Sequence, residues 1–347
     1  MEVRMATPLD SMNVRQAPVR HAGWLALALV SALVVFGAGS VRAEGGESDP
    51  GSASGSASAA APPLRLAPAP AFHARHVMVV DDASGEVLLS KGAQESVPMA
   101  SLTKLMTAMV VLDAELDPQE PLTIEVADLD TLKHTRSGLP VGATLPREKM
   151  LELALMASDN HAAFCLARHY PGGLPAFLDA ARAKAAALGL ASTYMLEPTG
   201  LSPDNRSSAS DLAVVAHAAA GYPAIAAATT QSRGQALVNG RAYTAHNTNG
   251  LVGKPGWDIL LSKTGFTNEA GRCLVMRLRS AGKTVLVVLL NARAGAARTL
   301  DAVNITRWLS GLAVTGPVAT AAVAPSAAIA KPGRRAARGR RHSIGLI

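Results

Sequence analysis

The chain is 347 residues long, with 49% hydrophobic but only 3% aromatic residues. That is chain enough for one large domain whose core is filled by Ala, Val and Leu, and too few rings for a fold that stacks nucleic-acid bases. The net charge of +7 sits outside the folded part: Arg4, Arg15, Arg20 and Arg42 against Glu2 and Asp10 leave +2 in residues 1–43, Lys331, Arg334, Arg335, Arg338, Arg340 and Arg341 put +6 in the tail, and −1 remains between them. The middle stretch thus has no basic footprint, so nucleic acid is not an expected partner.

Three arginines precede the apolar run Trp24 to Gly37, and small residues follow as far as Val41-Arg42-Ala43. This is the pattern of a secretory signal peptide over residues 1–43, with cleavage expected after Ala43. Left uncleaved it would act as an anchor, but the run is shorter than the about 20 apolar residues a spanning helix needs. Residues 44–71 are Gly, Ser, Ala and Pro with little else, a linker.

A catalytic domain is expected over residues 72–314. His76 to Val80 and Glu86 to Ser90 read as strands around a turn, Asp81 to Gly85. Leu102 to Leu112 reads as a helix, with Pro98 and Ser101 suited to its approach and start. Leu122 to Val126 is a short strand. Arg147 to Ala157 is a helix with Met150, Leu151, Leu153, Leu155 and Met156 apolar; Ser158-Asp159-Asn160 interrupts it before a helix from His161 to His169. Residues 173–189 form an Ala-rich helix, and Ser208 to Asp211 has capping-box spacing before a helix from Leu212 to Ala220. Beyond Gln235 the pattern changes to strands, Asp258 to Thr264, Arg272 to Arg279 and Lys283 to Leu290, and Asp301 to Leu312 is a closing helix. Strands at both ends and helices between them predict an α+β fold whose sheet is closed by both termini. Residues 315–347 read as a disordered tail, either solvated or resting weakly on an anionic envelope surface. Of the two cysteines, Cys165 and Cys273, an exported protein could make a disulfide; their apolar surroundings favour free core thiols.

Ser101-Leu102-Thr103-Lys104 places a serine and a lysine on one helix face, about 5–6 Å apart at Cβ, a nucleophile with a base beside it. The same spacing in Ser280-Ala281-Gly282-Lys283 joins two strands and reads as a hairpin turn. Ser158-Asp159-Asn160 and Lys263-Thr264-Gly265 complete an ordered triple, the signature of class A β-lactamases and penicillin-binding proteins; a second copy of the middle motif, Ser11-Met12-Asn13, lies in the leader. Lys104 can take a proton from Ser101 only if it is neutral, so its pKa must fall from about 10.4 toward 7–8. Burial and the like charge of Lys263 would lower it. Ser158 would relay a proton to the leaving amine. Asn160 would bind substrate backbone and Lys104. Lys263 and Thr264 would hold an anionic substrate group, Gly265 would let substrate lie against the strand, and the N–H groups of Ser101 and Phe266 would hold the oxyanion. Taken singly, each has a structural reading: an N-cap, a solvated helix lysine, a helix cap, a charged strand end. The histidines are scattered without a His-Glu-x-x-His motif, and His134 and His161 read as polar or supporting residues. No metal and no cofactor is expected.

The motif blocks Ala100 to Thr107 and Lys263 to Thr267, with Glu197-Pro198-Thr199-Gly200-Leu201 and Ser208 to Leu212, resemble the serine D-alanyl-D-alanine peptidases, the low-molecular-mass penicillin-binding proteins, over roughly residues 75–312. Leu155 to Asn160 and His169-Tyr170-Pro171-Gly172-Gly173 are most similar to their D-alanyl-D-alanine endopeptidase branch. The resemblance implies a five-stranded antiparallel sheet flanked by helices with a helical subdomain, a Ser101 acyl-enzyme with Lys104 as base, and acylation by β-lactams as covalent inhibitors. It also implies peptidoglycan stem peptides and cross-links as substrates and a periplasmic location, with weak membrane association at most. After Leu312 there is no room for the β-rich domain of many carboxypeptidase relatives. The alternatives are a D,D-carboxypeptidase releasing terminal D-alanine, a class A-like β-lactamase and a cell-wall binding module. Glu197 lacks the Glu-x-x-Leu-Asn form of a β-lactamase deacylating base, so slow penicillin hydrolysis is expected.

Overall fold

The computed structural model describes residues 69–311. The expected leader, the linker as far as residue 68, Ser11-Met12-Asn13 and the tail from 315 lie outside the described residues. Strands β1 (His76–Asp81) and β2 (Val87–Lys91) form the expected hairpin, followed by the two-residue β3 (Val97–Pro98). A short 3-10 turn, Ala100–Leu102, leads into α1 (Thr103–Asp113). Next come β4 (Pro121–Thr123), β5 (Thr144–Pro146), α2 (Arg147–Met156), α3 (Asn160–Arg168) and α4 (Gly173–Ala187). The chain continues through β6 (Arg206–Ser207), α5 (Ala209–Ala219), α6 (Pro223–Thr230) and the hairpin β7 (Arg233–Val238) and β8 (Arg241–His246). It closes with β9 (Asp258–Thr267), β10 (Gly271–Ser280), β11 (Lys283–Ala292) and α7 (Gly295–Leu309).

The main sheet has the order β2-β1-β11-β10-β9, antiparallel throughout. The N-terminal hairpin therefore pairs with the last strand, as strands at both ends of the domain predict. Both faces of the sheet are covered, which is why Val285 to Leu290 run apolar without alternation. One face, carrying Val80, Val275, Leu286 and Val288, packs on the helices between β2 and β9; the other, carrying Val79, Leu274, Met276 and Val287, packs on Ala302, Ile305 and Trp308 of α7. With so few rings, methionines fill much of the core: Met99, Met106, Met109, Met150 and Met156 are all inaccessible to solvent, their unbranched thioethers suiting irregular gaps.

Several elements depart from expectation. The strand expected over Leu122 to Val126 stops at Thr123, because Glu125 and Asp128 cap one another around a 3-10 turn, Val126–Asp128. Helix α6, in a stretch with no element predicted from the sequence, has Pro223 at its first turn, where proline belongs. The β7–β8 hairpin, not among the elements predicted from the sequence, turns at Asn239-Gly240, both at positive φ (50° and 73°), as a two-residue Asn-Gly turn requires. The closing helix begins at Gly295 rather than Asp301; Ala296 and Ala297 extend it because alanine is the best intrinsic helix former. Ser280 pairs with Lys283 across the β10–β11 turn, with Ala281 and Gly282 at positive φ, so this tetrad has no helical geometry.

Candidate active site

Ser101 sits in the 3-10 turn, at the junction between the sheet and α1. The residue before it, Ala100, is held at φ 48°, a left-handed value that costs an L-residue about 1–2 kcal/mol. Two glycines clear space for this turn. A Cβ on Gly265 would lie 3.1 Å from the backbone N of Ser101, and one on Gly200, itself at φ +84°, would overlap the Ala100 carbonyl. Gly200→Ala must therefore displace the turn that carries Ser101. The expected result is a loss of about 2–4 kcal/mol in urea unfolding and at least a tenfold fall in the rate of covalent penicillin labelling.

Lys104, in the first turn of α1, is 1% exposed. Its Nζ lies 3.0 Å from Ser101 Oγ, 2.7 Å from Asn160 Oδ1 and 2.7 Å from the Thr199 carbonyl oxygen. Two of these partners can only accept. A neutral amine has two N–H donors and one lone pair, so donating to Asn160 and Thr199 leaves the lone pair for the Ser101 hydroxyl, the arrangement a general base requires. Burial pulls the Lys104 pKa down to about 8, against the carboxylates of Glu197, Asp159 and Asp130, which raise it. Burial, then the charge of Lys104, then that of Arg298 hold Lys263 well below its ordinary range, and the repulsion between the two amines is mutual.

Asp159 caps α3 by accepting from Ala162 N at 3.0 Å and also takes the Ser137 hydroxyl at 2.6 Å. Ser158, just before it, is at φ 60°, and its Oγ accepts from Lys263 Nζ at 2.8 Å. Asn160 receives Lys104 on its oxygen and donates from Nδ2 to Thr135 Oγ1 at 2.7 Å. Thr264 Oγ1 donates to Thr248 Oγ1 at 2.7 Å. Because β9 is an edge strand, alternate N–H groups along it face the cleft.

Ser101, Ser158, Thr264, Gly265 and Phe266 line one cavity of about 240 Å³, with Thr248, Arg272 and Arg298. The structure thus brings Ser101, Lys104, Ser158, Asn160, Lys263, Thr264, Gly265 and Phe266 to one cleft. Sequence reasoning did not find Thr135, Thr199, Arg272 or Arg298. Thr199 could have been suspected from the Glu197 to Leu201 block, whereas the others carry no local signal. Glu197 is fully engaged: its carboxylate accepts from Thr199 N at 2.7 Å, Gly200 N at 2.6 Å and Ser202 N at 3.3 Å. His161 is buried with Nδ1 2.9 Å from the Leu139 carbonyl oxygen, and His134 lies in an exposed loop. Cys165 and Cys273 are free and buried, and burial pushes their thiols up to about 12 and about 11. Among the described residues no group of three His, Cys, Asp or Glu is placed to hold a metal.

A family model described as D-alanyl-D-alanine carboxypeptidase matches residues 64–294. A D-alanyl-D-alanine endopeptidase of Pseudomonas aeruginosa is 43% identical over 246 residues, 70% of this chain and 79% of that protein. One of Escherichia coli is 40% identical over 263 residues, 75% of this chain and 83% of that protein. Among solved structures, the Streptomyces K15 DD-transpeptidase superposes with a TM-score of 0.66 at 27% identity, covering 71% of this chain and all of that one. A D-alanyl-D-alanine carboxypeptidase from Mycobacterium tuberculosis gives 0.64 at 27% identity, covering 71% and 94%.

Proposed function

The chain belongs to the D-alanyl-D-alanine carboxypeptidase family and is a serine D-Ala-D-Ala peptidase, and from that premise we propose that it is an endopeptidase cutting the D-alanyl bond to a diaminopimelate side chain in peptidoglycan cross-links. The observation that carries the chemistry is the buried Lys104 amine, in contact with Ser101 Oγ, Asn160 Oδ1 and the Thr199 carbonyl oxygen; in its neutral form, with its N–H groups on the last two, its lone pair faces Ser101 Oγ. In this reading the Ser101 hydroxyl gives its proton to Lys104 and attacks the D-alanyl carbonyl. The N–H groups of Ser101 and Phe266 hold the oxyanion, and Ser158, backed by Lys263, passes a proton to the leaving amine. Arg298 and the Thr264 hydroxyl receive the carboxylate beside that amine. Water then attacks the ester, releasing the donor stem and restoring Ser101.

The endopeptidase names of the Pseudomonas and Escherichia relatives support the choice of bond. The leader pattern of residues 1–43 supports export, with the periplasm as the place of action. β-Lactams acylate Ser101 by the same attack, and with Glu197 committed to backbone N–H groups the ester is expected to hydrolyse slowly. Digestion of purified cross-linked and uncross-linked muropeptides, followed by mass spectrometry, tests the bond cleaved. Loss of cross-links is expected; release of D-alanine alone would reject the endopeptidase reading in favour of a carboxypeptidase.

A further inference from the structure

The cavity beside Ser101 holds more positive charge than one substrate carboxylate needs. Arg272, near the start of β10, and Arg298, in the first turn of α7, both line it. Arg298 donates from Nη1 to the Cys273 carbonyl oxygen at 3.1 Å, and its buried Nε has no partner. Arg272 lies opposite Phe266 in the β9–β10 register, with its guanidinium carbon 3.6 Å from the centroid of the Phe266 ring. Phe266 is 47% exposed, so this large ring directly after Gly265 serves as an open platform at the cleft rather than as core. Stacking holds the guanidinium flat and leaves its N–H edges for a planar carboxylate.

No carboxylate among the described residues answers these two cations. None lines the cavity, and the acid of the β9–β10 turn, Glu269, is paired with Lys133 at 2.5 Å. Both guanidinium groups line the one cavity, and burial, then the charge of Arg272, presses the Arg298 pKa downward. Like charges held together without an anion are unfavourable, and a ligand bringing two negative groups relieves that.

The two candidate leaving groups differ in this respect. A terminal D-alanine brings one carboxylate. A peptide stem joined through a diamino acid side chain brings the carboxylate on the carbon bearing the scissile amine and others along the stem. Building on the endopeptidase reading, we infer that Arg272, presented on the Phe266 ring, is a specificity-determining residue that takes a second carboxylate of a leaving group that is itself a peptide stem. Arg298 takes the first carboxylate, common to both substrates, and Arg272 favours the cross-link.

The test compares kcat/KM for a purified cross-linked muropeptide dimer and for a monomeric stem ending in D-Ala-D-Ala, using the full chain and its Arg272→Leu variant. The dimer-to-monomer ratio is expected to fall about tenfold or more, mainly through the KM of the dimer. Arg272→Lys should fall between, keeping charge without the planar fork, and Phe266→Ala, which removes the platform, should lower the same ratio. A dimer whose leaving stem has its outlying carboxylates capped as amides should give the unmodified enzyme the ratio of Arg272→Leu. An unchanged ratio, or a parallel fall on both substrates, overturns the assignment and leaves Arg272 as a support of the pocket wall. Wild-type enzyme that leaves dimers intact overturns the endopeptidase reading and this assignment together, whereas dimers cut with an unchanged ratio overturn this assignment alone.

Discussion

Ser101→Ala is expected to abolish covalent labelling by a fluorescent penicillin, a fall of at least about 10⁴-fold in acylation rate, while Ser280→Ala labels like the wild type. The contrast isolates geometry, since both serines stand three residues before a lysine. Ser101 leads into a helix that brings Lys104 Nζ within 3.0 Å of its Oγ. Ser280 and Lys283 are cross-strand partners at a hairpin turn, and Lys283 is spent on Asp81 at 2.8 Å. Labelling that survives the first change would sink the assignment of the nucleophile. Because alanine removes one oxygen from a partly exposed turn, unfolding midpoints should barely move, so lost labelling reads as lost chemistry.

The second large effect is that of Lys104. Lys104→Met should lower the acylation rate by about 10²–10⁴-fold, the range of a positioned general base. Lys104→Arg should not rescue it, because a guanidinium stays protonated. In the proposed role Lys104 acts as the neutral amine, so the wild-type acylation rate should climb with pH through about 8 and level off above, and the variants should lose that limb. Stopped-flow labelling across the neutral to alkaline range measures it; a flat profile below pH 8 would show that another group takes the proton. The same shift bears on stability. The folded pKa of about 8 lies below the ordinary lysine value of 10.5. Below the folded value both states are protonated and the native state carries the full penalty, about 3 kcal/mol. As pH rises from the folded toward the unfolded value, the native state is neutral while the unfolded chain still binds a proton, so wild-type stability gains with pH. Lys104→Met has no such gain, and its stability relative to wild type should fall over that window.

The three motifs were legible because each is short and each stands where one element meets another. A serine before an apolar helix, a polar break between two apolar helices and a lysine on a strand can be recognised before any of them is placed. The fold class was legible because Val77 to Val80 and Val285 to Leu290 sit at opposite ends of the domain with helices between, and pairing them joins the first hairpin to the last strands in one sheet. What stayed hidden depends on contacts over long stretches of chain. Thr199 reaches Lys104 across 95 residues and Thr135 reaches Asn160 across 25. Arg272 and Arg298 come together only once α7 packs beside the last strands. The depth of the two lysines was hidden for the same reason: burial is the leading cause of the lowering of both amines, and burial is not visible in spacing.

Cys165 and Cys273 are fully buried and unpaired, one in a helix between α2 and α4 and one in the second strand of the sheet from its cleft edge. Folding therefore needs no oxidant, and the domain reaches the same native state in a reducing or an oxidising compartment. Each thiol is also a sealed reporter: a thiol-specific reagent reacts only when its surroundings open. Paired exchange rates at Cys165 and Cys273 would show whether the helical half and the sheet breathe together or apart, and so whether the two walls that hold Ser101 between them are one cooperative body.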